Sequence, residues 1–377
     1  MGKPTYRFTP GELLDAYRRG GDKKQAAKLL KCDPSTFARW FDRAFPEGTP
    51  QELSSGPPEG HNVKGVSTLY GPNGEVKAQW IKTQADLSRQ REILESVAAE
   101  LAKDLPRQRP TPPPRLTEAH LSNVYTLTDC HIGMLSWERE TGADWDLGIA
   151  EQTLTRCFDA MIAAAPPAMH GIVNQLGDFL HFDSLEAVTP KNKHILDSDS
   201  RYAKVAQVAV RILRHIINAA LRKHQNVTIM VSSGNHDPVG GVWLRTLFAA
   251  LYEDDKRVFV ETSPRTYVAH QFGETMLAFH HGDGAKFDRL PGVFAAEYPI
   301  IWGSTKYRYC HTGHYHHRRV LEDAGMVIEQ HPTLAARDAY AARLGLHAIR
   351  SAHAITYHMK FGEVGRVTVS PDMTRAA

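Results

Sequence analysis

Apolar positions recur at helical spacing in the first stretch of the chain, then alternate, then gather into short runs separated by long amphipathic segments. Over residues 10–45, Ala26, Ala27, Leu29, Leu30, Phe37, Trp40 and Phe41 keep the helical period and predict three short helices with a small shared core. Pro10-Gly11 opens the first, Glu12–Arg19, and Gly20-Gly21 stops it. Asp22 caps Lys23–Lys31, and Asp33 caps the third with Pro34 at its first position. Residues 65–70 and 75–82 alternate around Gly71-Pro72-Asn73-Gly74, a hairpin pattern, with Trp80 read as core. From Leu87 to Leu105 a stripe of Ile93, Leu94, Val97 and Leu101 predicts an amphipathic helix, which either packs on its own domain or joins two copies in a homodimer through 84–105.

From residue 116 the pattern becomes strand and helix in turn. Strands are expected at 123–128, 171–176, 227–232, 275–279 and 309–312, long helices at 147–165 and 201–224, and hairpins at 318–331 and 354–370. Mixed strands covered by helices on their outer faces imply an α/β fold, a two-sheet α/β/β/α sandwich. PEGTPQELSSGPPEGHN (46–62) and PRQRPTPPPR (106–115) read as linkers, the second stiff and polyproline-like. The expected division is therefore 1–45 helical head, 46–62 linker, 63–105 hairpin and helix, 106–115 linker, and 116–377 catalytic domain.

Composition refines this picture only through its unevenness. The net charge is +3 over 377 residues, yet residues 1–45 alone carry ten Lys/Arg against five Asp/Glu. A basic head on a slightly acidic body suggests a module that binds a polyanion. The second and third helices resemble a helix-turn-helix, whose recognition helix would present Ser35, Thr36, Arg39 and Arg43 to DNA; the alternative is a three-helix protein-interaction module. Four scattered cysteines form no CxxC pair, which suits a reducing compartment. No apolar run reaches about 18 residues, and the N-terminus lacks the apolar core of a signal peptide. The expected location is cytoplasmic.

Only one of the 20 histidines precedes residue 116. The others concentrate in motifs: Asp129-Cys130-His131, Gly177-Asp178, Gly234-Asn235-His236-Asp237, His281-Gly282 and Gly313-His314-Tyr315-His316. Each follows a predicted strand, so its side chains sit on a loop that a rigid sheet can hold. Any one motif is common by chance; five in fixed order are not. Hard carboxylates mixed with imidazoles suit Mn²⁺, Fe, Zn²⁺ or Ni²⁺ better than Ca²⁺, and two such ions together favour displacement at phosphorus. His280 and His281 compete for one ligand position, since two adjacent strand residues face opposite ways.

The order D-x-H, G-D, G-N-H-D, H-G, G-H-x-H, over about 130–320, resembles the calcineurin-like metallophosphoesterase superfamily. GNHD, and the lack of Arg-Gly after Asp178, resemble its nuclease and phosphodiesterase branches more than its protein phosphatases. The combination with a basic head resembles proteins of tailed bacteriophages. The resemblance implies two divalent ions, Mn²⁺ first, one held by Asp129, His131 and His316 and the other by Asn235, His281 and His314, with Asp178 shared. It implies that His236 stabilises the transition state or protonates the leaving oxygen, with Asp237 orienting it. Between the second and third motifs, Lys191, Lys193, His194 and Arg201 are candidate substrate contacts, Arg201 by gripping a phosphate; His181 and Asp183 are candidate supports of the ligands. The leading functional expectation is a DNA nuclease or phosphodiesterase tethered to DNA by its head. The alternative is an enzyme for a small phosphoester, and a third reading is a DNA-binding regulator with a vestigial metal fold.

Overall fold

The structure, a computed structural model, describes residues 8–45, 61–70, 76–85 and 111–375. Residues 84 and 85 of the predicted helix end a strand instead; the rest of that helix and the Trp80 side chain lie outside the described residues. The chain divides into two compact units, 1–90 and 91–377, each described by itself.

In the first unit the three helices form as α1 (Pro10–Gly20), α2 (Lys23–Leu29) and α3 (Pro34–Ala44). Thr9 and Glu12 close a reciprocal capping box on α1, and Asp22 and Asp33 cap α2 and α3. Leu13, Ala16, Ala26, Ala27, Phe37 and Phe41 are buried together. Two details differ from the expectation. α2 stops at Leu29, because Lys31 takes a left-handed φ of 49° to turn the chain into α3. Leu29, expected in the core, is 48% exposed. The hairpin forms as β1 (His61–Tyr70) paired antiparallel with β2 (Val76–Ala85).

The second unit is built on two sheets. The first takes β3 (Glu118–Leu127), β4 (Ala168–Gln175), β5 (Asn226–Val231), β6 (Val258–Val260), β12 (Ala352–His358) and β13 (Gly362–Val369) in the order β13-β12-β3-β4-β5-β6. β3 to β6 are parallel; β12 and β13 close one edge antiparallel. The second takes β7 (Val268–Phe272), β8 (Thr275–Phe279), β9 (Tyr307–Thr312), β10 (Arg319–Asp323) and β11 (Met326–Gln330) in the order β10-β11-β9-β8-β7.

Strand alternation sorts three layers of core. Val124 and Ile172 turn inward against Leu277 and Phe279 of the second sheet, with Ile355 and Tyr357 beside them. Their neighbours Tyr125 and Val173 turn outward, onto α4 (Leu147–Ala164) and α5 (Tyr202–Lys223), which bring Leu154, Phe158, Leu213 and Ile216. On the far side Met276, Ala278 and Cys310 meet Leu290 and Phe294 of α6 (Leu290–Glu297). The result is the α/β/β/α sandwich, since each sheet buries one face on the other and one under helices. β6, β7 and α6 had no clear sequence signal: β6 has three residues, β7 carries His270 and Gln271, and α6 opens at Leu290-Pro291.

Candidate metal centre

The loops that follow the central strands adopt backbone that ordinary residues avoid. Asp129, His131, Asp178, His314 and His316 have φ between 44° and 72°. Such conformations persist where surrounding contacts over-determine them, and those contacts are visible. Past the ends of β3 and β4 the two chains keep bonding, with the amides of Asp129, His131 and Ile132 donating to the carbonyls of Gly177, Asp178 and Phe179 at 3.1, 3.1 and 2.8 Å. The motif glycines mark where ligand side chains press on backbone. A Cβ at Gly177, itself at φ 95°, would meet the His281 ring at 2.5 Å, and one at Gly234 would meet Asp178 Oδ1 at 2.1 Å.

The fold gathers the motif residues into overlapping groups: His131 and His236 lie with His181, and two further groups consist of motif residues alone. Ligand atoms of Asp129, His131 and His316 lie within 4.8 Å of one another, and so do those of Asp178, His281 and His314. His131 Nε2 is 3.2 Å from His316 Nε2, and His316 Nε2 is 3.4 Å from Asp129 Oδ1. His281 Nε2 is 3.3 Å from Asp178 Oδ2 and 3.2 Å from the Asn235 side-chain oxygen. Each group is aimed by a second partner. Thr128 Oγ1 donates to Asp129 Oδ2 at 2.6 Å, the His314 amide donates to the same carboxylate, and His281 Nδ1 donates to the Leu176 carbonyl at 2.9 Å. His280 turns away: it stacks on Tyr267 with ring centroids 4.4 Å apart, and its Nδ1 accepts from the Gly282 amide.

Electrostatics set the state of the centre. Burial opposes charge on Asp178, but His281, with His236 and His131 behind it, holds its carboxyl far below the usual carboxylate range. Burial likewise opposes charge on His281, yet Asp178 pushes it up to about 10. Burial and the neighbouring His236 and His316 keep His131 neutral, well below the usual imidazole value. Nitrogens of two imidazoles 3.2 Å apart can share only one proton, whereas a cation accepts both lone pairs. His314 Nδ1 is buried with no hydrogen-bond partner. Carboxylates, imidazoles and one amide oxygen, all facing one another, fit divalent cations of the first transition row.

His236 and Asp237 have separate duties. His236 Nδ1 lies 2.8 Å from the His181 carbonyl, which only a donor suits, so Nε2 is left without a proton on the neutral ring. The ring lines the cavity beside the candidate metal ligands. The expectation that Asp237 orients His236 is corrected: its buried carboxylate accepts the amides of Asp178, Phe179, Leu180 and Gly234 at 2.8 to 3.0 Å. It locks the Asp178 loop to the Asn235 loop. His181 also touches His131, Nδ1 to Nδ1 at 3.2 Å, and Asp183 accepts the amides of Val239 and Gly240.

A cavity of about 510 Å³ opens over His131, Asp178, Asn235, His236, His314 and His316. Its opposite wall is the segment 333–350, which the sequence reading missed because its alanines, Arg337, Tyr340 and Arg350 carry no motif. The structure does not bring the predicted substrate contacts there. Lys191, Lys193, His194 and Arg201 are exposed and none lines this cavity; Arg201 stands at the start of α5, with no side-chain cap bond. In the first unit, Ser35, Arg39 and Arg43 are exposed along α3 and Thr36 is half-buried, while the Ser35 hydroxyl donates to Asp33.

A further buried group joins Glu329, His331 and His353 within 4.8 Å between the sheets. Here the carboxylate already has cations. Arg366 donates to both Glu329 oxygens at 2.6 and 2.7 Å, and Arg318 adds a contact at 3.2 Å.

No family model matches the chain, and no curated protein matches it. Solved structures that it is similar to include a conserved uncharacterized protein, a predicted phosphoesterase, from Streptococcus pneumoniae, at 9% identity and TM-score 0.30, covering 68% of this chain and 92% of that one. They include Vacuolar Protein Sorting 29 from Cryptosporidium parvum, at 16% and 0.32, covering 66% and 97%. They also include an archaeal phosphodiesterase, at 10% and 0.32, covering 66% and 99%.

Proposed function

We propose that the chain is a calcineurin-like metallophosphoesterase, a hydrolase of phosphodiesters that uses two divalent ions, and that its basic head tethers it to DNA. One observation carries the reading: six side chains gather into two candidate ligand groups, the Asn235 oxygen lies 3.2 Å from His281, and His236 lines the same cavity. Asp129, His131 and His316 would hold one ion, Asn235, His281 and His314 the other, with Asp178 shared. Such ions supply a water of lowered pKa and neutralise charge on the phosphoryl oxygens.

The chain's own residues do the rest. Asp129 and Asp178 provide the negative charge that keeps the cations, and Asp237 fixes the loop geometry between them. The His181 carbonyl engages Nδ1 of His236, which leaves Nε2 as the ring nitrogen available to the reaction on a residue that lines the cavity. Once protonated there, it donates to a phosphoryl oxygen and then to the departing alkoxide. No covalent intermediate on the protein is needed.

The expected substrate is a nucleic-acid phosphodiester, and α3 of the head supplies retention on DNA through Arg39 and Arg43. A second reading, a small nucleotide or phosphoester, is favoured by the limited cavity and its apolar wall. Digestion of linear, circular and single-stranded DNA beside bis-p-nitrophenyl phosphate, with Mn²⁺ supplied, tests the activity; no cleavage of any substrate would overturn it. Arg39→Ala combined with Arg43→Ala is expected to weaken DNA retention and to lower its salt slope by about two, with small-substrate turnover intact. DNA affinity unchanged in that variant would remove the tether.

A further inference from the structure

We infer that the wall formed by residues 335–350 seats one flat, uncharged group esterified to the phosphate, a single nucleoside rather than a stretch of duplex. This rests on the hydrolase reading and names its substrate class.

The cavity volume of about 510 Å³ lies in the range of small-ligand sites. One side is the metal-binding residues and His236; the other is largely apolar. Leu346 and Ile349 line it although they are 57% and 85% exposed, so apolar surface faces the cavity with nothing packed on it. Tyr340 lines the same cavity, and the Arg343 guanidinium lies 5.6 Å from its ring centre. An accessible aromatic face backed by an arginine is a platform on which a base stacks.

The wall is built in advance. Thr333 Oγ1 donates to the Asp129 carbonyl at 2.6 Å, tying the wall to a metal-binding loop. Ser136 Oγ donates to the Arg337 carbonyl at 2.7 Å, and Ala335 and Ala336 are buried against Met134 and Trp145. The two arginines that line the cavity are engaged in that construction. Arg337 donates from Nε to the Thr141 carbonyl and sets its guanidinium 2.7 Å from His347. Arg350 donates twice to the Leu334 carbonyl and lies over the Trp145 ring. The wall therefore offers shape and stacking to the group beyond the scissile phosphate, with Arg337 and Arg350 held by hydrogen bonds inside the wall and Arg343 set against Tyr340.

The test uses the full chain with Mn²⁺. Ala348→Trp fills the wall from an exposed position, and Tyr340→Ala removes the platform. Each is expected to lower kcat/KM for the p-nitrophenyl ester of thymidine 5′-monophosphate roughly tenfold, and to change methyl p-nitrophenyl phosphate less than about twofold. Calorimetric titration with thymidine 5′-monophosphate should show the same loss of affinity. Equal effects on both esters, or unchanged nucleotide affinity in both variants, would overturn the inference while leaving the hydrolase reading intact. Wild-type binding of the nucleotide, weakened in both variants but without turnover of any ester, would support the wall and overturn the hydrolase reading instead. Preference for a single-stranded oligonucleotide over the small ester identifies a strand end as the source of the nucleoside, and the reverse identifies a free nucleotide ester; a duplex cleaved as well as its single strand overturns the inference.

Discussion

Two clusters in this fold draw on the same chemistry, carboxylate with imidazole, and reach opposite electrostatic states. Between the sheets, Glu329 stands with His331 and His353, and Arg366 brackets it through both oxygens. At the strand ends, Asp129 and Asp178 stand with four histidines, and among the described residues their ion-pair partners are histidines alone. Burial opposes charge on Glu329, but Arg366 keeps it far below the usual carboxylate range. The first cluster thus carries its own cation. The second holds buried negative charge with only protonated imidazoles as counter-ions, and metal ions can displace those protons. What sets the strand-end cluster apart as a candidate metal site is the lack of a guanidinium partner among the described residues as much as its ligand types.

The sharpest way to break this comparison is to remove charge where cations are expected. Asp178→Asn should cut phosphodiesterase activity on the order of a thousandfold and lower the bound metal from two ions per chain. Elemental analysis alongside kinetics checks both, and full metal content in that variant would mean that Asp178 is no ligand. His236→Ala should keep both ions and lose roughly a hundredfold to ten-thousandfold in turnover; metal loss there would place His236 among the ligands.

In the other cluster the cost should appear as stability. Arg366→Met leaves Glu329 buried with only the more exposed Arg318, and should lower the unfolding free energy by about 3 kcal/mol with activity nearly unchanged. Denaturant titration measures this, and loss of bound metal in that variant would show the two clusters to be one system.

The smallest expected effect is on pH dependence. Burial lowers His311 and His353, each to about 4. A histidine with a folded value below its unfolded value of about 6.5 binds more protons when unfolded across that interval. Its stability contribution is complete above pH 6.5 and falls as the pH drops towards 4, by roughly 2 kcal/mol per histidine at pH 5. His353→Gln should flatten the stability profile between pH 7 and 5; an unchanged profile would mean that His353 is already charged in the folded state.

Much of the centre was legible because its signal is local. Asp129 and His131 share a loop, each motif follows an apolar strand, and Gly177, Gly234 and Gly313 stand where candidate ligand side chains approach backbone. The head was legible for the same reason, through Pro10-Gly11 and the caps at Asp22 and Asp33, while the Thr9 cap on the first helix came only from the structure. Lys191, Lys193, His194 and Arg201 were chosen for charge and nearness in sequence to Asp178, and nearness in sequence did not carry them to the cavity.

The sequence by itself determined which residues are candidate cation ligands and that sheets would carry them, since strand period and turn chemistry act over a few residues. Only the tertiary structure decided where each side chain ends. It turned Asp237 from His236 to four backbone amides, gave Glu329 an arginine 37 positions away, and laid 333–350 across from the centre. The physical reason is that a buried polar group takes whichever partner the packed sheets bring within 3 Å, and no local pattern along the chain records that choice.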